Sequence, residues 1–219
     1  MMANHLSEMW HLKDEVLRYL AAFTPPETAL MREIRQRAHD IDKEHWLVSP
    51  EVARLFQLLA KLTRAARVYE IGSFLGYSGL AWAEALPDGG EVFLTEKNET
   101  FFNLMTGYVA RSPYKSKITC LNVDAHLDLA TRDCFDIVLI DHDKPDYPAA
   151  WQTAKRHIAK NGLLVVDDVL WRGRVCRGAS AQDPSTKGVL QLNEIVRDDS
   201  EMLSLIVPIG DGVCLAIPR

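Results

Sequence analysis

The chain has 219 residues, 47% of them hydrophobic and 25% charged, which allows one large globular domain with a substantial core. A net charge of −5 and the lack of any Lys/Arg run argue against a nucleic-acid partner, and no window approaches the roughly 18 apolar residues of a membrane span. Four cysteines, at 120, 134, 176 and 214, form no CxxC pair and suit neither a zinc site nor a disulfide framework. Cys120, Cys134 and Cys214 read as small core residues, and a reducing, cytoplasmic setting follows. The opening MMANHLSEMWHLKDEV lacks the basic and apolar regions of a signal peptide.

Leu6, Met9, Trp10, Lys13, Val16, Leu17 and Leu20 recur at helical spacing over residues 6–22. Pro25-Pro26 ends that helix and opens another through about Ile41. Ser49-Pro50-Glu51 predicts a helix start, with Ser49 as N-cap, followed by one apolar face at Leu55, Leu58, Leu59 and Leu62. From Arg67 the pattern changes. Apolar runs at 68–71, 92–95, 118–123, 135–140 and 163–166 alternate with helical stretches near 78–86, 99–112, 125–131 and 147–159. Unbroken apolar strands between helices indicate a parallel sheet covered on both faces, an α/β architecture. After a helix at 186–198, runs at 203–209 and 213–217 flank Gly210-Asp211-Gly212 and predict an antiparallel hairpin. A single domain is expected, with residues 1–63 as a helical cap and 64–219 as the α/β core.

In such sheets ligands bind beyond the carboxyl ends of the strands. Glu70-Ile71-Gly72, Thr95-Glu96, Asp141 in VLIDHDKPDY and Val166-Asp167-Asp168 all fall there. The first strand runs into EIGSFLGYS. Phe74 stands where a dinucleotide fingerprint would want its second glycine, so a pyrophosphate fits poorly and an adenosyl ligand without phosphate fits better. Glu96 follows Gly72 by 24 residues, where a carboxylate can accept two ribose hydroxyls, and Glu70 is placed to receive an ammonium group. An ordinary strand-to-helix turn is the plain alternative.

Asp141 ends one strand and Asp167-Asp168 its neighbour, about 4.8 Å away. Carboxylates so close call for something positive between them, and hard oxygens without a His/Cys set point to Mg²⁺ or Mn²⁺. Each has an ordinary alternative: the aspartates as turn caps, Lys144 as a surface charge. His142 is not taken as a metal ligand. Lys144 beside a dication is expected to have a lowered pKa and to accept a proton.

EIGSFLGYSG, the strand-ending acid of FLTEKN, LIDHDKPDY, LLVVDDVLWRGRV and the closing PIGDGVCLA together resemble the cation-dependent, S-adenosylmethionine-using O-methyltransferases of the catechol and caffeoyl-CoA group, most like the small bacterial members, over roughly residues 45–219. The resemblance implies a Rossmann-like methyltransferase sheet. It implies metal ligation by Asp141, Asp167 and Asp168, with Mg²⁺, Mn²⁺ or Ca²⁺ as the ion, and catalysis by Lys144 with Asp141. It further implies cofactor contacts from Val48, Glu70, Gly72, Ser78, Glu96, Asp124, Ala125 and Asp141. Trp171 and Lys144 would face a small aromatic acceptor with vicinal hydroxyls, and family habit implies a homodimer. Two departures stand out: Asp167-Asp168 replaces the usual Asp-Asn, and residues 45–54 lack the Met and Gln-Gly often found there. The rival readings are a nicotinamide-dependent oxidoreductase, against which the missing second glycine argues, and a catalytically inactive binding module.

Overall fold

The computed structural model describes residues 14–176 and 183–219. Three helices come first: α1 (Asp14–Phe23), α2 (Ala29–Asp40) and α3 (Pro50–Thr63). The α/β part then runs β1 (Arg67–Ile71), α4 (Tyr77–Ala85), β2 (Glu91–Thr95), α5 (Glu99–Arg111), β3 (Ile118–Leu121), α6 (Ala125–Leu129), β4 (Phe135–Ile140), α7 (Tyr147–Arg156), β5 (Ile158–Val166), α8 (Pro184–Asp198), β6 (Met202–Val207) and β7 (Val213–Pro218). Tight 3₁₀ turns at Glu44–Trp46 and Lys144–Asp146 and a kinked turn at Trp171–Cys176 carry much of the site.

Seven strands form one sheet in the order β3-β2-β1-β4-β5-β7-β6. The first five are parallel, and β7 pairs antiparallel with both β5 and β6. Strand alternation splits the core in two. Val68, Val92, Leu94, Ile137, Leu139, Leu163 and Val165 face a layer with Phe56, Leu80, Trp82 and Met105. Tyr69, Ile71, Val138, Ile140, Leu164 and Val166 face the other, with Tyr147, Trp151, Val189 and Leu192. Phe56 and Trp82 stack with their rings 4.5 Å apart.

The Ser49 cap is present: its hydroxyl accepts from the Val52 N–H at 3.3 Å, with Pro50 in the first turn. The second helix is opened not by the two prolines but by Thr28, whose hydroxyl accepts from the Met31 N–H. Met9, Trp10 and the rest of 6–13 lie outside the described residues. Strand β5 starts at Ile158, five residues before the predicted Leu163. Asn161-Gly162 reads locally as a break, yet Phe135 pairs with Ile158 across an irregular register and draws the strand back. Cys214 is buried, as expected, but Cys134 is exposed and Cys120 only half-buried. Cys134 precedes β4 at the amino edge of the sheet, where apolar neighbours in sequence do not become neighbours in space. No helix among the described residues is long and apolar enough to cross a membrane.

Candidate active site

The strand order reverses between β1 and β4, and both strands end side by side there. Gly72 follows β1 at φ +89°, and a Cβ on it would sit 2.3 Å from the carbonyl oxygen of Asp141. The two loops touch backbone to backbone, which only glycine permits. A cavity of about 1020 Å³ opens at this point. Of the residues singled out from the sequence, Val48, Gly72, Glu96, Asp124, Ala125, Asp141, Lys144, Asp167, Asp168 and Trp171 line it.

Glu70 and Ser78 do not line it. Glu70 is fully buried behind the loop, and the Ser78 hydroxyl donates to its Oε1 at 2.7 Å. Its Oε2 has no partner, as is also true of the nearby Ser73 hydroxyl. Burial pushes the Glu70 carboxyl up to about 8, against the opposing hydrogen bond from Ser78. Such an acid costs no stability below its ordinary pKa of 4.5, and the cost grows as pH rises from there to about 8, because the unfolded chain ionises first. Glu70→Gln should therefore abolish part of the alkaline destabilisation. Between pH 4.5 and 8.5, urea unfolding without cofactor should show the variant gaining on the order of 3 kcal/mol relative to the parent. Parallel pH profiles for the two proteins would contradict a buried, reluctant carboxylate.

Glu96 faces the cavity with both oxygens already oriented. Oε2 accepts the Phe74 N–H at 3.0 Å, and Oε1 accepts the Asn98 N–H at 2.7 Å. The turn amide that a pyrophosphate would need is thus spent on a carboxylate, which disfavours a dinucleotide. Asp124 caps α6, accepting the N–H groups of His126 and Leu127 at 2.9 and 3.2 Å. Val48 is buried, and its carbonyl accepts from the Arg35 guanidinium at 3.2 Å. Arg35 in turn bonds Glu27 and lies over the Tyr77 ring, joining the N-terminal helices to the glycine loop.

The acidic strand ends are neighbours, since Ile140 pairs with Val166 and the next residues are Asp141 and Asp167. The positive group found between them is the ammonium of Lys144. It donates to Asp141 Oδ1 at 3.1 Å and lies 2.8 Å from Asp168 Oδ2. Its third partner is the Tyr147 hydroxyl at 2.7 Å, which itself donates to the Asp167 carbonyl at 3.0 Å. Helix α8 fixes this turn closely: a Cβ on Gly188 would sit 2.1 Å from the Lys144 carbonyl oxygen. Burial alone would lower the Lys144 pKa, but Tyr147, Asp141 and Asp168 outweigh it and hold it well above the ordinary value. The depression expected beside a dication concerns the metal-loaded site; without the ion, the neighbouring acceptors decide the direction. Three hydrogen bonds to acceptors, two of them carboxylates, stabilise the charged form.

Burial raises Asp141 to about 6, with Lys144 opposing and Asp168 adding to the rise. Asp167 is raised well above the ordinary range by burial and by its two acidic neighbours, and its Oδ1 has no partner. Among the described residues no three His, Cys, Asp or Glu side chains are already gathered around a metal position. The donor chemistry nonetheless suits a hard divalent cation: Asp141 and Asp167 raised by burial and by acidic neighbours, one buried oxygen unsatisfied, and the Lys144 ammonium to balance them.

Two features were missed from the sequence. Tyr147, which positions Lys144, had a signal in its spacing three residues after the lysine. His126 and His142 had none: their Nε2 atoms meet at 3.0 Å on the cavity wall across 16 residues of chain. Burial and the facing His126 lower His142 to about 4, so it is neutral.

A family profile described as O-methyltransferase matches residues 22–218. Among curated relatives, a probable caffeoyl-CoA O-methyltransferase 1 of Dictyostelium discoideum is 25% identical, covering 92% of this chain and 91% of its own. Catechol O-methyltransferase domain-containing protein 1 of Mus musculus is 28% identical, covering 91% and 78%. Among solved structures, the O-methyltransferase TomG of Streptomyces achromogenes, in complex with S-adenosylmethionine, aligns over 100% of both chains at 26% identity with a TM-score of 0.82.

Proposed function

The chain belongs to the O-methyltransferase family, and we propose that it takes the methyl group of S-adenosylmethionine and transfers it to one of two adjacent hydroxyls on a small aromatic acceptor, with a divalent cation bound. The observation that carries this reading is the meeting of Asp141, Asp167, Asp168 and Lys144 at the ends of β4 and β5, in one cavity with the Gly72 loop.

The Gly72 turn and Glu96 would hold the adenosyl part of the donor, and Asp124-Ala125 would flank its base. The Val48–Ser49 segment, anchored by Arg35, would cover the methionine end. Asp141, Asp167 and Asp168 would hold Mg²⁺, or Mn²⁺ or Ca²⁺, which when bound supplies Lewis acidity that lowers the pKa of an adjacent phenol. Lys144 accepts the phenolic proton only after its ammonium has given one up, so its base form requires release from Asp141 and Asp168. Tyr147 keeps the nitrogen in place through that change. The phenolic oxygen then forms a bond to the methyl carbon as the carbon–sulfur bond breaks, leaving S-adenosylhomocysteine. Alignment of oxygen, carbon and sulfur by the cavity walls supplies much of the remaining acceleration.

The test is a methylation assay with S-adenosylmethionine and Mg²⁺ across a panel of catechols, with product position determined by mass spectrometry and NMR. Methyl ethers of vicinal diols are the expected products. Stabilisation by S-adenosylhomocysteine with no catechol methylated would remove the acceptor assignment while leaving the cofactor in place.

A further inference from the structure

From the polarity of the cavity, and resting on the acceptor reading above, we infer that the acceptor carries an anionic group at the end opposite its hydroxyls, recognised by Arg172 and Arg174. The floor of the cavity is acidic, with Asp141, Asp167 and Asp168, and its rim beyond Trp171 carries Arg172 and Arg174. Cations from both groups reach the Trp171 ring. The Lys144 ammonium is 5.6 Å from the ring centre, and the Arg174 guanidinium is 5.8 Å from it. A flat acceptor lying along Trp171 with hydroxyls at the aspartates would extend toward the arginines.

The turn that presents these side chains is built at a cost. Trp171, Arg172 and Gly173 stand at φ +46°, +53° and +70°, and the first two are bulky residues in the left-handed region. Asp211, from the closing hairpin, holds the turn: its two carboxylate oxygens accept the Arg172 N–H at 2.6 and 2.8 Å. That carboxylate is engaged with backbone. Among the described residues Arg172 makes no ion pair, and Arg174 makes a long, half-exposed one to Asp183 at 3.4 Å. Asp183 is itself engaged in capping α8 through the Ser185 and Thr186 N–H groups. A pair of that exposure contributes little, so among the described residues no strong ion pair holds either guanidinium group. Planar, paired donors suit a carboxylate or phosphate. A cationic side chain on the acceptor would instead meet like charge at the rim.

The experiment compares kcat/KM for 3,4-dihydroxycinnamate, its methyl ester, its coenzyme A thioester and 3,4-dihydroxyphenethylamine. The parent protein is run beside Arg172→Gln, Arg174→Gln, the double variant and the charge-preserving Arg174→Lys. Each variant is first checked for S-adenosylhomocysteine binding and thermal stability. The acid should exceed the ester by about tenfold, the scale of one charge-assisted contact, and exceed the amine by more. The acid-to-ester ratio should fall toward one in the double variant and persist in Arg174→Lys. Preference for the thioester, lost in the double variant, would assign the anion to carrier phosphates; preference for the acid assigns it to a carboxylate. Equal use of ester, amine and acid, or a ratio untouched by the double substitution, overturns the inference while leaving catechol methylation standing. No methylation of any of the four, with S-adenosylhomocysteine still bound, removes both.

Discussion

Lys144→Ala should lower turnover by roughly 10²–10⁴-fold, the scale of a lost acid–base group, while calorimetric titration still finds S-adenosylhomocysteine bound. The same substitution should also destabilise the metal-free protein. Lys144 is buried, and its ammonium contacts Asp141 and Asp168 beside Asp167. Removing one partner of a buried charge set leaves the others uncompensated, at about 3–5 kcal/mol. The penalty depends on pH with a definite sign. Burial already raises Asp141 to about 6 with Lys144 opposing, so without the ammonium that carboxyl keeps its proton to higher pH; protonation relieves the cluster more fully at low pH, and the loss should be smaller at pH 5 than at pH 8. Chemical denaturation at the two pH values measures it. Undiminished turnover would exclude Lys144 as the base, and an unchanged unfolding free energy at pH 8 would exclude it as the internal counter-ion.

Treatment with EDTA is expected to stop methylation of a catechol, and added Mg²⁺ to restore it. Lewis-acid assistance is worth several kcal/mol, so the loss should be at least about 100-fold. Asp167→Asn separates this from a general structural effect, because activity and metal-free stability should move apart. The substitution keeps the side-chain shape but removes one of three crowded acidic groups. The metal-free variant should therefore be at least as stable as the parent. Calorimetric titration with Mn²⁺ should show weakened binding, and turnover should fall with it. Full activity in chelator would sink the metal assignment. A large fall in metal-free stability would instead mean that Asp167 holds the fold together through contacts of its own.

Both expectations concern the cluster at the ends of β4 and β5, and there Lys144 marks the boundary between local and tertiary information. LIDHDKPDY announces a strand that stops in charge, because an apolar run followed by Asp, Lys and Pro has few other readings. The same holds for the Gly72 turn, the Ser49 cap and the closing hairpin: each is written within about ten residues, over which periodicity and turn chemistry act. The order of strands and helices, and the collection of acids at one sheet edge, follow from that local code. What the acids meet there does not. Asp141 and Tyr147 stand three residues either side of Lys144, but Asp168 reaches it only once β5 is set beside β4, and register decides which side chains share that edge.

The same reason explains the other differences. Glu70 and Glu96 look alike as strand-ending acids, but the turn of the loop buries one and leaves the other on the cavity wall. His126 meets His142, and Asp211 meets the Arg172 backbone, across 16 and 39 residues of intervening chain. The chain's amino-acid order thus determined a mostly parallel sheet with an acidic carboxyl edge and a glycine loop beside it. The packing of that sheet decided which charges neutralise one another, because long-range pairing brings together groups whose separation along the chain carries no periodic signal.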